Sequence, residues 1–214
     1  METVSQPESR VDALRSGIRI EMMTIVWMTL EALLAIGAGV IAGSILLIAF
    51  GADSGIELIS GIVLLWRLGT EARAGDLEEI ERVERRATWT SAVLLILLCL
   101  YVAITTVVGL VWRAEPAGSP VGILVSTGAL ILMPFLTRAK RGINQRLGSA
   151  ALRADIAESI TCAYMAGTVL VGLALNAALG WWWAEYVAAV ALLYWLVGET
   201  REAFEAARGD EHAE

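Results

Sequence analysis

The residues able to do chemistry fall in three short stretches, each set inside a long apolar run. In FGADSGIELIS, Asp53 and Glu57 are four residues apart. On a helix that spacing puts both carboxylates on one face, about 6 Å apart along the axis, where their oxygens can converge on one ion. In RADIAESITCAY, Glu158 and Cys162 repeat the spacing, and Asp155 shares their face one turn before Glu158. In MTLEALL, Glu31 stands alone. If the faces of the second and fifth runs meet, Asp53, Glu57, Glu158 and Cys162 supply four ligands for a divalent cation. Glu31 and Asp155 then line the path or carry protons. A carboxylate at the bilayer centre costs at least about 2.5–3.5 kcal/mol on insertion scales, so each of these acids needs a cavity or a partner.

The elements that must hold them follow from composition. Of 214 residues, 57% are hydrophobic and only 18% charged, with a mean hydropathy of +0.66. That excess excludes a disordered chain, a collagen and an ordinary soluble enzyme. Six apolar runs, at roughly 22–40, 45–66, 88–112, 119–137, 151–176 and 181–198, each have the length that a bilayer demands of a helix. They are too long and too continuous for barrel strands. The expectation is an all-α membrane protein: a six-transmembrane-helix bundle over 22–198, a cytoplasmic segment over 1–21 and a short cytoplasmic tail over 199–214. The first run is long enough to remain as an anchor instead of serving as a cleaved signal.

Fifteen of the sixteen Lys and Arg fall before the first run, between the second and third, between the fourth and fifth, or after the sixth; only Arg113 lies on the other side. Both termini are therefore expected in the cytoplasm. This assignment places Arg67 and Arg153 at the cytoplasmic ends and leaves no basic residue at membrane depth to pair the acids. The acids are then neutralised by protons or by a cation, and a site that accepts either exchanges one for the other.

Other features read as structural. Gly51 and Gly55 form a G-x-x-x-G pair turned away from Asp53, and Gly39 and Gly43 form another; both predict close helix packing. Trp181, Trp182 and Trp183 open the sixth run as interface anchors. Residues 70–86 predict a charged, solvated cytoplasmic helix leading into the third run, with Glu78–Arg82 and Glu81–Arg85 pairs in the favourable order. The tail from Glu199 is expected to fray, and its His212, the single histidine, is a weak metal candidate beside Asp210 and Glu211. Cys99, without an acidic neighbour, reads as packing. A net charge of −7 argues against nucleic acid as a partner. No H-E-x-x-H, G-x-S-x-G or phosphate-binding glycine loop is present, so no enzyme is expected.

At the acidic residues the sequence resembles the cation diffusion facilitator (cation efflux) family of metal transporters. AGSILLIAFGADSGIELISG looks like that family's second span, with Asp53 and Glu57 at the positions of its Asp-x-x-x-Asp metal pair. LRADIAESITCAYMAG resembles its fifth span, with Glu158 at the His position and Cys162 at the second Asp. The likeness is greatest to a transmembrane-only branch that lacks the cytoplasmic C-terminal domain and shares the Asp53-Ser54-Gly55-Ile56-Glu57 motif, Glu31, LNAALGWWWA and Cys162. The resemblance implies a multi-pass cell-membrane transporter that exports a divalent metal in exchange for protons, and a homodimer. With Cys162 as a ligand the expected ion is Zn²⁺-like; without it, Mn²⁺ or Fe²⁺. A metal-binding membrane sensor or structural partner without transport is the alternative. No prosthetic group is expected; the metal is the cargo.

Overall fold

A computed structural model describes residues 6–73 and 77–209; Asp210, Glu211 and His212 lie outside the described residues. Six helices follow one another: α1 (Gln6–Ala42), α2 (Ile45–Glu71), α3 (Leu77–Trp112), α4 (Pro120–Leu147), α5 (Ala150–Leu179) and α6 (Trp182–Gly209). Local chemistry sets the breaks. Ser44, Ser119 and Ser149 cap α2, α4 and α5, each accepting a bond from the backbone N–H three residues on, which satisfies a donor that the first helical turn leaves free. The α1–α2 turn closes on Gly43 at φ +67°, a left-handed conformation that costs glycine nothing. The following N–H, of Ser44, then bonds back to Gly39 O at 2.9 Å, the helix-ending pattern that such a glycine permits.

Five helices, α1 to α5, carry stretches long and apolar enough to cross a membrane. In α6 the first turn mixes Trp182, Trp183 and Glu185 into the apolar run. Leu33, Val40, Ile104, Val111, Leu124 and Ile131 point outward, exposed by more than half, as side chains bathed in lipid do. The protein is a multi-pass, all-α membrane bundle.

The helix α2 lies at the centre, touching α1, α3, α5 and α6; round it α1 packs on α4, α4 on α5, α5 on α6 and α6 on α3. Gly51 explains how α1 comes so near: a Cβ there would meet Ala35 Cβ and the Ile36 backbone nitrogen at 2.9 Å. Gly55, its partner in the motif, has nothing within 4 Å. A main core surrounds Phe50, Met133, Met165 and Leu192. A smaller one, around Leu14, Leu68 and Leu152, closes the end where α1 begins and α2 finishes.

The helices run past the apolar stretches at three places. Among the described residues, α1 is helical from Gln6, ahead of the first apolar run, and buries Glu21 completely. The charged helix leads into the third span as expected, both belonging to the 36-residue α3, but it starts later, because Thr70 and Glu71 end α2; the side chain of Glu81 lies outside the described residues. The chain beyond Gly198 does not fray at Glu199 but continues as regular helix to Gly209.

Candidate metal centre

The acids of α2 meet a carboxylate from α6. Oxygens of Asp53, Glu57 and Glu199 lie within 4.8 Å of one another. Asp53 is fully buried and Glu57 7% exposed. Both oxygens of Asp53, Oε1 of Glu57 and Oε1 of Glu199 are buried without a hydrogen-bond donor. Buried polar atoms are paired in nearly all folded proteins. Four orphaned acceptors on three carboxylates are what an oxygen-ligated cation needs, since it supplies the missing positive charge to all of them at once. The Thr161 hydroxyl, from α5, reaches Glu199 and holds it at the site.

The residues proposed from α5 stand beside this trio. Glu158 is half-buried and near enough to interact electrostatically with Asp53 and Glu57, but it does not share the 4.8 Å group. The Cys162 thiol is fully buried and donates to Glu31 Oε1 at 3.7 Å. Ser54 Oγ donates to the same oxygen at 2.6 Å, and Trp27 Nε1 donates to Glu31 Oε2. Glu31 is thereby held by donors from α1, α2 and α5, which joins those helices beside the trio, Ser54 being next to Asp53 in sequence.

Residues 22–208 match the cation efflux transmembrane domain. The chain belongs to the cation efflux family. No curated protein matches it significantly. The match takes in α2 to α5 whole and most of α1 and α6, and membership makes the molecule a cation transporter. In this cation efflux domain, the acid trio joins the first half of α2 to α6.

Two polar groups flank the trio along the bundle. On the side where α2 begins, Glu185 of α6 accepts from Asn176 Nδ2 at 2.6 Å and from Ser44 Oγ, while Asn176 also donates to Pro116 O at 3.0 Å. Every acceptor there is satisfied by a neutral donor. On the opposite side Lys140 of α4 is fully buried, its Nζ 2.9 Å from Glu21 Oε2 and 2.6 Å from Asp155 Oδ2. This corrects the expectation that no basic residue pairs the acids. Asp155 is not an open carboxylate at the head of α5 but half of a buried ion pair.

The sequence reading missed Glu199, Lys140 and Glu21. A signal in the helix register existed for each of them. Buried positions on α4 run Ser126, Ala129, Met133, Leu136, Lys140 and Leu147; on α1 they run Leu14, Glu21, Thr24, Met28, Glu31 and Ala35. Both series keep the spacing of three, four and seven that marks an inward helix face. Lys140 and Glu21 sit on those faces. Glu199 is four residues past the apolar Trp195 and three past the buried Leu196, so it lay in register as well, beyond the assumed end of the span.

Proposed function

We propose that this cation efflux protein is a secondary transporter that moves a divalent transition-metal ion out of the cytoplasm in exchange for protons. Asp53, Glu57 and Glu199 hold the ion, and Glu158 stands beside them as a further oxygen donor. The observation that supports this reading is the trio of buried carboxylates with four unpartnered oxygens. Left ionised and empty, three like charges in a low-dielectric setting repel strongly. Protons or a cation relieve the repulsion, and loading one releases the other.

The donor set bears on the ion. Carboxylate oxygens suit Mn²⁺ and Fe²⁺, whereas a thiolate would favour Zn²⁺. With Cys162 engaged by Glu31, the oxygen-only trio favours Mn²⁺ or Fe²⁺ as cargo. Exposure of the site to alternate sides comes from rocking of helices around it, as in other secondary transporters. The outward direction is carried over from the family's description as efflux proteins.

The experiment is metal-driven proton flux in proteoliposomes. Wild type should acidify or alkalinise the lumen when a Mn²⁺ gradient is imposed, and Asp53→Asn, correctly folded, should abolish the signal. Unchanged flux in Asp53→Asn overturns the assignment. Metal binding without counterflow in sealed vesicles would favour a sensor or structural partner instead.

A further inference from the structure

The Lys140 ion pairs resemble a filled cation site more than a structural clamp. Two carboxylates from different helices, Glu21 on α1 and Asp155 on α5, converge on a single ammonium from α4 at 2.9 and 2.6 Å. When all three are ionised the group carries one uncompensated negative charge. Glu21 is fully buried, and its Oε1 has no hydrogen-bond donor. That oxygen lies against Gly61 of α2, where an added Cβ would come within 3.1 Å of it. Gly61 is one helical turn beyond Glu57, about 6 Å along the axis. The group therefore lies about one turn along α2 from the Asp53–Glu57–Glu199 trio, with an unpaired acceptor against that helix, and Glu158 interacts electrostatically with Glu21, Lys140 and Asp155 alike.

We propose that Glu21 and Asp155 form a second divalent-cation site next to the trio, and that Lys140 fills it with its own ammonium until an ion displaces it. Hard divalent cations take oxygen ligands at about 2.0–2.6 Å. An ion at the place of the Lys140 nitrogen requires the two carboxylates to close in by less than an ångström. Lysine suits the part of a displaceable occupant. Its charge is compact, and it rides on a flexible four-carbon stem. It sits seven residues before the end of α4, about 10 Å from that helix terminus, so the displaced ammonium has a short way to swing to the end of the bundle. In transport the lysine then competes with cargo for the approach to the trio and refills the site behind the departing ion. The proposal rests on the transport reading for this route, not for the existence of the second site.

Manganese binding to the purified full chain in detergent, by calorimetry and elemental analysis, tests it. Wild type is expected to bind one Mn²⁺ per chain. Lys140→Met removes the resident charge at similar length and should bind two. Lys140→Met combined with Asp155→Asn should return to one. A Lys140→Met protein that still binds one ion per chain overturns the proposal. Should wild type bind none and Lys140→Met one, the second site stands and the trio falls as the metal centre, so the two readings fail separately. Two bare carboxylates can also unfold the single variant. In that case a protein that is folded and monodisperse in Mn²⁺ but aggregated in Na⁺ alone supports the site, and aggregation that Mn²⁺ does not relieve overturns it.

Discussion

A buried carboxylate oxygen with no donor is an energetic burden of about 1–3 kcal/mol, more when the group is charged, and a bound cation lifts it. That argument separates Glu199 from Cys162. Glu199 contributes an orphaned oxygen to the trio, whereas the Cys162 thiol already spends its proton on Glu31. Glu199→Gln removes one of three charges and should weaken Mn²⁺ binding about tenfold or more, equivalent to at least about 1.4 kcal/mol. Cys162→Ser keeps a donor for Glu31 and should change affinity by no more than about twofold. Calorimetric titration of both variants checks the order; a larger loss in Cys162→Ser would put the thiol in the coordination sphere. Asp53 and Glu57 were legible because their spacing and their apolar context act within one helix. Glu199 was not, because apolar composition ends at the sixth run's last hydrophobic residue while the helix does not.

At the scale of the helix, α2 shows how little of a glycine motif is informative until its neighbour is known. Gly51 and Gly55 share the spacing, but only Gly51 meets the α1 backbone at 2.9 Å; Gly55 faces open space. Gly51→Val should therefore force α1 and α2 apart and destabilise the bundle by about 1–3 kcal/mol, the usual cost of overpacking. Gly55→Ala should leave stability unchanged or raise it by about 0.5–1 kcal/mol, because alanine is the better helix former. Thermal unfolding in one detergent, followed by circular dichroism, compares them directly; equal losses would mean that both glycines are packing positions. The number of helices, their order and the starts of α2, α4 and α5 to within about two residues were readable, since length and hydropathy are local properties; the capping serines Ser44, Ser119 and Ser149 that set those starts were not singled out. Lys140 was not recognised because counting charges between runs treats TRAKRG as one cytoplasmic cluster. Its burial belongs to a face of α4, visible only in the three-and-four spacing from Ala129 to Leu147.

Across the whole molecule, the same three helices are joined at two depths by different chemistry. Beside the start of α2, the Glu185, Asn176 and Ser44 bonds join α2, α5 and α6 with neutral donors. Deeper in the bundle, α2 and α6 present each other with carboxylates, and α5 adds Glu158 and Thr161. The first junction holds without a ligand, whereas the second is attractive only when a cation or protons are present. Metal should then stabilise the entire fold by mass action, about 2.7 kcal/mol when free Mn²⁺ is a hundred times its dissociation constant. For a chain of this size that corresponds to a rise in melting temperature of about 5–10 °C. The ligands must be deprotonated to bind, so protons compete and the metal-dependent rise should shrink as pH falls. Asp53→Asn should abolish the rise at every pH. Glu185→Gln should lower the melting temperature equally with and without Mn²⁺, because its bonds lie outside the Asp53–Glu57–Glu199 trio. Melting curves over a pH series, with and without the metal, read all three proteins; a full-sized rise surviving in Asp53→Asn would move the ion away from the trio.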